Sequence, residues 1–250
     1  MKIKYREIKV NNYVLRGFLS VPDNKYHDLV VMLHGFTGHK NENGFLFKQL
    51  TENLCNAGFA TLRYDYRGSG DSDGSFDEQN FNTVLEDAYQ MILDGYKLNH
   101  KKPIILLGFS MGGATAARMS VKCKELIKKL VLMSPAGEMK EITKNIFEKN
   151  VVVNEKYVDL GGYYINIEFA KSFADKDLYE GVETFDKPVL ITQGLKDLSV
   201  FPYVSKKYAD LYPNSLYVLI PGSTHCYTKV QYRKDINDVI LKFVKKEEEK

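Results

Sequence analysis

Short apolar runs recur along this chain, and segments with helical spacing separate most of them. The runs cover residues 29–33, 59–64, 103–107, 126–133, 188–192 and 216–220. A continuously apolar run of this length is typical of a strand that is covered on both faces. Apolar residues at helical spacing, such as Phe81, Val84 and Ala88, predict helices between the strands. Strands that alternate with helices predict an α/β fold, a mostly parallel sheet of about eight strands with helices on both faces.

Composition and charge exclude several classes of protein. The chain has 250 residues, 44% hydrophobic and 27% charged, which is typical of a globular domain and not of a disordered segment. The 35 basic and 32 acidic residues leave a net charge of +3 without a basic stripe, so we predict no nucleic-acid partner. The apolar runs are far shorter than the ~20 residues that cross a bilayer, so we predict no membrane span. A signal peptide needs an apolar segment near the N-terminus, where this chain has charges at Lys2, Lys4 and Arg6. We therefore predict a cytoplasmic location.

Three cysteines stand far apart, at Cys55, Cys123 and Cys226. Their number and spacing make neither a disulfide framework nor a metal site, and we expect reduced, mostly buried thiols. No motif in the chain requires a metal or an organic cofactor, so we predict neither. Cys226 directly follows His225, and we expect it to pack as a small apolar side chain.

The alternation of strands and helices is interrupted between residues 136 and 181. This stretch contains Val151-Val152-Val153 and then Gly161-Gly162 between two β-prone runs, which predicts a hairpin turn. About fifty residues between two core strands is far longer than a usual connection and is typical of a lid or an inserted subdomain. We therefore predict a core of residues 1–135 and 182–250 and an inserted cap at 136–181. A peripheral decoration that serves as a homodimer contact is the alternative.

One motif directly follows the 103–107 run. Gly108-Phe109-Ser110-Met111-Gly112-Gly113 leads into a helical segment of small residues. The pattern G-x-S-x-G is weak alone but is much more specific between a strand and a helix. There the turn is sharp, the flanking glycines avoid a backbone clash, and the serine hydroxyl is exposed at the N-terminus of the helix. We predict that Ser110 is a nucleophile, and a plain glycine-rich turn is the alternative.

A serine hydroxyl needs a general base, and this chain has five histidines. His225 lies in the loop after the last predicted core strand, which places it at the same edge of the sheet as Ser110. Asp197 follows the 188–192 strand at that edge, where a carboxylate fixes the tautomer of the histidine. These residues occur in the Ser…Asp…His order of α/β-hydrolases, and we predict that they form a catalytic triad.

Acyl transfer also requires backbone N–H groups that stabilise a tetrahedral oxyanion. Met111 directly follows the predicted nucleophile, and its N–H is the first candidate. Phe36 lies in His34-Gly35-Phe36-Thr37-Gly38, the loop after the 29–33 strand, and its N–H is the second. We expect His34 to brace this loop and not to take part in the chemistry.

Together these motifs resemble the α/β-hydrolase superfamily over essentially the whole chain, and the 65–72 loop, Asp-Tyr-Arg-Gly-Ser-Gly-Asp-Ser, belongs to the match. A finer resemblance is to the bacterial feruloyl (cinnamoyl) esterases, small intracellular enzymes that split esters of ferulic, p-coumaric and caffeic acids. It depends on residues 34–38, the chain length, the insertion at 136–181, and the placement of Asp197 and His225. The resemblance implies the triad and oxyanion donors already named, and a cap that supplies polar groups for the phenolic end of the substrate.

Within the insertion, the resemblance implies substrate contacts from Glu138, Tyr163 and Tyr164. These residues match the family by location and not by motif. The turn that carries Ser110 departs from the family pattern, because Phe109 and Met111 stand where members often carry His and Gln.

We therefore predict a serine carboxylesterase that hydrolyses small hydroxycinnamoyl esters through an acyl-enzyme. Short-chain or monoacylglycerol esters, thioesters and peptides stay open as alternative substrates, because the same triad serves all of them. A hydrolase-fold receptor that binds a small ester and turns it over slowly is the alternative outside enzymes.

Overall fold

The fold is built on one large sheet. A computed structural model describes residues 1–246, and residues 247–250, the end of the predicted core range 182–250, lie outside the described part. The strands are β1 Lys2–Val10, β2 Tyr13–Val21, β3 Leu29–Leu33, β4 Ala60–Tyr64, β5 Ile104–Phe109, β6 Ile127–Met133, β7 Val151–Asn154, β8 Tyr157–Leu160, β9 Tyr163–Asn166, β10 Val189–Gly194 and β11 Ser215–Ile220. The large sheet has eight strands in the order β1-β2-β4-β3-β5-β6-β10-β11.

Most of this sheet is parallel and covered on both faces. The β1–β2 and β2–β4 pairs are antiparallel, and the other neighbouring strands of the sheet are parallel. The helices are α1 Leu46–Asn56, α2 Phe81–Leu98, α3 Met111–Lys122, α4 Met139–Lys149, α5 Ile167–Lys171, α6 Pro202–Leu211 and α7 Val230–Lys245. Helices α1 and α7 pack on one face, and α2, α3 and α6 pack on the other. The predicted sheet of about eight strands with helices on both faces is confirmed.

Strand β3 shows why its sequence is continuously apolar. Successive side chains of a strand point to opposite faces of the sheet. Leu29, Val31 and Leu33 accordingly pack in the cluster with α2 and α3, whereas Val30 and Met32 pack in the cluster with α1 and α7. Both sets are buried, because a helix layer covers each face.

Residues 136–181 contain α4, β7, β8, β9 and α5, and their three strands form a separate antiparallel sheet. Gly161-Gly162 make the predicted turn between β8 and β9, with φ angles of 61° and 92° that glycine adopts readily. Val158, Ile165 and Phe169 of this segment are buried in the same cluster as α2 and α3. The segment therefore shares the apolar cluster on the α2 and α3 side of the molecule, and its role as a cap stays a prediction.

No helix within residues 1–246 is both long enough and apolar enough to cross a membrane.

A buried histidine joins the carboxyl ends of β3 and β4. His34, which follows β3 and is 1% exposed, donates from Nδ1 to the carbonyl oxygen of Gly35 at 2.9 Å. Its Nε2 accepts the N–H of Tyr66, just beyond β4, at 3.1 Å. Only a neutral ring can make both bonds, and burial lowers the pKa of His34 to about 4. This geometry agrees with the bracing role expected of His34.

The neutral state of His34 predicts a pH dependence of stability. Between pH 6.5 and about 4 the unfolded chain binds a proton on this ring that the folded protein excludes, so acidification favours unfolding. Relative to His34→Gln, the wild-type protein should lose up to about 3 kcal/mol of unfolding free energy over that range and nothing above it. Urea unfolding of both proteins at pH 7.5 and pH 5 should show about 2 kcal/mol of this loss, and an equal difference at the two pH values would contradict the neutral assignment.

Candidate active site

Ser110 occupies the sharp turn between β5 and α3. Its backbone has φ 55° and ψ −120°, a strained combination for a residue other than glycine. The glycines two residues before and after it have no room for a side chain. A Cβ on Gly108 would lie 2.1 Å from the carbonyl oxygen of Gly112, and a Cβ on Gly112 would lie 2.1 Å from that of Leu33. Ser110 is thereby held at the N-terminus of α3, as the motif predicts.

The three residues predicted to form a triad lie in one hydrogen-bonded series. His225 Nε2 is 2.9 Å from Ser110 Oγ, and His225 Nδ1 is 2.7 Å from Asp197 Oδ2. Because a carboxylate only accepts, Nδ1 carries the ring proton and Nε2 is left to accept from the serine hydroxyl. This arrangement allows His225 to act as a general base toward Ser110.

The carboxylate of Asp197 is fixed by donors on both oxygens. Oδ2 accepts from Gln193 Nε2 as well as from His225, and Oδ1 accepts the N–H groups of Ser199 and Val200, each at 2.9 Å. Burial raises the pKa of Asp197, but the bonds from His225, Val200 and Gln193 outweigh it and hold the pKa below its usual value. An ionised Asp197 favours positive charge on the neighbouring imidazole.

Two backbone N–H groups next to Ser110 are available to a ligand. Within residues 1–246, neither the N–H of Phe36 nor that of Met111 donates a hydrogen bond. The loop of Phe36 passes close to the serine. A Cβ on Gly35, the residue before Phe36, would lie only 3.2 Å from Ser110 Cβ. Met111 is the first residue of α3, where the helix dipole attracts negative charge. Both predicted oxyanion donors are thus beside the serine.

A cleft of about 470 Å³ opens beside Ser110 and His225. Aromatic side chains make up much of its wall, namely Phe36, Phe45, Phe109 and Tyr163. Polar side chains line it as well, namely Thr37, His39, Glu42, Asn43 and Cys226, besides Ser110 and His225. A lining that combines aromatic rings with polar groups suits a small organic substrate.

The three predicted substrate contacts do not all reach this cleft. Tyr163 lines it, and its ring lies 4.8 Å from that of Phe76 between centroids. Tyr164 is the next residue of β9 and therefore points to the opposite face of the small sheet, where it packs against Tyr157. Glu138 lines a different cavity, where it accepts the hydroxyl of Tyr179 at 3.0 Å. Contacts of Tyr164 and Glu138 with substrate stay predictions.

Sequence reasoning missed the aromatic side chains that join the insertion to the loop of Phe36. Phe169 of α5 stacks on Phe36 with 4.5 Å between ring centroids, and Phe76 lies 5.6 Å from Phe36. No motif marks Phe76 or Phe169. The one available signal was the spacing of Phe169 and Phe173, which indicates an apolar face on the insertion.

Cys226 has the unreactive surroundings that we expect of a packing residue. It is partly buried against the cluster formed with α1 and α7. Burial raises the pKa of its thiol, so the reactive thiolate is not favoured. Within residues 1–246, no cluster of three or more histidine, cysteine or acidic side chains is arranged to hold a metal ion.

Comparisons with known sequences give a family and several relatives. Residues 24–162 match the family described as "Serine aminopeptidase, S33". A putative esterase/lipase of Haemophilus influenzae is 29% identical over 141 residues, which cover 52% of this chain and 46% of that protein. The human mitochondrial palmitoyl-protein thioesterase ABHD10 is 25% identical over 195 residues, which cover 72% of this chain and 60% of that protein. The chain thus spans only part of the length of these two relatives.

Solved structures match over nearly the whole chain. Est1E from Butyrivibrio proteoclasticus, solved with ferulic acid bound, is 26% identical with a TM-score of 0.86 and covers 96% of this chain and 97% of its own. Mouse ABHD10 has a TM-score of 0.79 at 20% identity, covers 96% of this chain and 98% of its own, and shows the fold alone. The α/β-hydrolase fold expected from the motifs is confirmed. Since the family match spans more than half of the 250 residues, the chain belongs to the serine aminopeptidase S33 family, with the α/β-hydrolase fold and a similarity to Est1E over nearly its whole length.

Proposed function

We propose that this protein is a serine carboxylesterase that works through an acyl-enzyme on Ser110. The observation that carries the proposal is the continuous series of hydrogen bonds from the Ser110 hydroxyl through His225 to a buried Asp197. A receptor of the same fold would not require this series, because binding alone needs no general base.

The reaction follows from the atoms in place. Ser110 Oγ attacks the ester carbonyl carbon while His225 Nε2 takes the hydroxyl proton, and the N–H groups of Phe36 and Met111 stabilise the oxyanion. The bond to the alcohol oxygen then breaks, and His225 gives its proton to that oxygen. Water attacks the acyl-enzyme with the same nitrogen as base, and Ser110 Oγ leaves with the proton. Asp197 holds the tautomer of His225 and stabilises its charged form.

Hydroxycinnamoyl esters are the proposed substrates. Support comes from the aromatic wall formed by Phe36, Phe109 and Tyr163, and from the likeness to Est1E, which was solved with ferulic acid bound. Aromatic rings gain most from offset or edge contacts with other rings, which this wall offers to a phenolic acyl group. Short-chain esters are the second candidate class, and thioesters a third, since the relative ABHD10 is described as a palmitoyl-protein thioesterase.

Replacement of the nucleophile tests the mechanism. Ser110→Ala should lower kcat/KM for an activated ester by at least about 10⁴-fold while the melting temperature stays near that of the wild type, because only a hydroxyl is removed. A fluorophosphonate probe should label the wild-type protein on Ser110 and leave the variant unlabelled. Ser215→Ala, at the amino end of β11 and outside the cleft, is the control and should keep full activity. Normal hydrolysis by Ser110→Ala would refute the proposed mechanism.

Comparison of two methyl esters tests the proposed substrate class. Methyl ferulate should exceed methyl butyrate in kcat/KM by about tenfold or more, because the aromatic wall adds contacts that a butyryl chain does not make. Tyr163→Leu should reduce kcat/KM for the ferulate ester by about threefold to tenfold and leave the butyrate ester unaffected. Tyr164→Leu, on the opposite face of β9, is the matched control. A preference for butyrate would restrict the proposal to a general esterase.

A further inference from the structure

A buried carboxylate stands beside Ser110 and has no part in the mechanism proposed for the triad. Glu42 lies between β3 and α1, lines the cleft and is 3% exposed. Its Oε1 accepts the N–H of Gly35, and its Oε2 accepts the N–H of Asn43 at 3.1 Å. Gly35 directly precedes Phe36, so the carboxylate binds the chain one peptide unit away from a proposed oxyanion donor.

The carboxylate sits inside the turn that carries Phe36. The N–H of Gly38 donates to the carbonyl oxygen of Gly35 at 3.1 Å and closes this turn. A Cβ on Gly38 would lie 2.8 Å from Glu42 Oε1, and a Cβ on Gly35 would lie 3.4 Å from the same oxygen and 3.2 Å from Ser110 Cβ. The carboxylate and Ser110 therefore both lie close to Gly35.

The backbone of Glu42 is strained. Its φ of 59° and ψ of 167° fall in a region that is essentially confined to glycine. Such a conformation persists only where the surroundings over-determine it. Glycine would fit this backbone better, yet the position holds a carboxylate that accepts the N–H of Gly35, so the strained backbone and this hydrogen bond occur together.

Charged and titratable groups face Glu42 from several elements. His225 and Cys226 approach from the loop after β11, Arg233 from α7, and Tyr66 from the loop after β4. Burial raises the pKa of Glu42, although the bonds from Gly35 and Asn43 and the charges of His225 and Arg233 oppose this shift. Glu42 consequently takes up a proton at higher pH than an ordinary glutamate does.

We propose that Glu42 is a positioning residue for hydrolysis: it holds Gly35 and thereby fixes the N–H of Phe36 beside Ser110 when the oxyanion forms. The inference rests on the proposed function of Ser110. It assigns Glu42 no contact with the reacting atoms, because its action passes through Gly35. An oxyanion donor contributes in the transition state and little in the ground state, so the role should affect kcat and not KM.

Two substitutions separate this role from a structural one. Glu42→Gly removes the carboxylate and relieves the strained backbone, so the melting temperature should stay close to that of the wild type while kcat for an activated ester falls about 10²-fold. Glu42→Gln keeps an oxygen for the N–H of Gly35, and its kcat should fall less, by roughly tenfold. KM should change by less than about twofold in both variants.

Asp87→Asn is the matched control. Asp87 is another buried carboxylate that accepts a backbone N–H, that of Arg67 at 2.9 Å, and it does not line the cleft. The same change from acid to amide should lower its stability and leave kcat of the folded protein unchanged. Folded Glu42 variants with wild-type kcat, or with a raised KM and unchanged kcat, would overturn the inference.

A measurement without substrate tests the contact itself. In the wild-type protein the amide proton resonance of Gly35 should move as Glu42 protonates, with a midpoint above the ordinary glutamate range, and this movement should be absent in Glu42→Gln. A resonance that does not respond to pH would overturn the proposed contact. Lack of any Ser110-dependent hydrolysis in the wild type would instead overturn the proposed function, whereas hydrolysis that is unchanged in both Glu42 variants overturns only the inference.

Discussion

The close approach of the first turn of α3 to the end of β3 is the contact on which the rest of the site depends. A Cβ on Gly112 would lie 2.1 Å from the carbonyl oxygen of Leu33 and 2.5 Å from that of His34, so backbone meets backbone with no side chain between them. This contact brings Ser110, the proposed nucleophile, close to the loop of Phe36. Any side chain at Gly112 would move Ser110 away from the loop of Phe36, whose N–H is a proposed oxyanion donor. In the proposed mechanism, that move would weaken the stabilisation of the oxyanion.

A second contact of the same kind holds Asp197 and His225, the other two residues of the proposed triad. A Cβ on Gly194, the last residue of β10, would lie 2.7 Å from the carbonyl oxygens of both Ser223 and Thr224. Just beyond it, the N–H of Lys196 donates to the carbonyl oxygen of Ser223 at 2.8 Å. The loop of Asp197 is therefore fastened directly to the loop of His225. The order β5-β6-β10-β11 then sets the distance between the serine and this pair, because each strand end is one sheet spacing from the next.

The periodicity of the sequence was sufficient to predict the parallel sheet, and the motifs predicted which loops meet at its edge. Both inferences rest on local patterns that a two-sided sheet imposes. The insertion lacks such a pattern, so the choice of Glu138, Tyr163 and Tyr164 depended on location alone. Side chains alternate between the two faces of a strand, so Tyr163 and Tyr164 of β9 cannot both face the cleft. This rule could already have excluded one of the two tyrosines from the sequence alone. The place of Glu138 depends on its partner Tyr179, which is 41 residues away and carries no sequence signal of that pairing.

Long-range polar contacts were equally invisible in the sequence. Lys129 stands in β6, a strand with neighbours on both sides, where a lysine contradicts an apolar pattern. Its ammonium donates to the carbonyl oxygens of Phe243 at 3.3 Å and Val244 at 3.2 Å, in the last turn of α7, which a helix leaves without partners inside it. Lys129 thus caps the C-terminus of α7, more than a hundred residues away in the sequence. A single sequence shows a lysine in an apolar strand but not the carbonyl groups that it binds.

Strained backbone conformations are common around the cleft. Nine residues other than glycine have a positive φ within residues 1–246, and four of them line the cleft: Thr37, Glu42, Phe45 and Ser110. Each strained residue costs about 1–3 kcal/mol, so four around one cleft are a large fraction of the stability of an ordinary domain. The fold tolerates this because the sheet beneath is buried on both faces and fixes the ends of β3 and β5. Strain gathered where two strand ends and one helix start meet therefore argues that this backbone is shaped for a function that a relaxed chain would not perform.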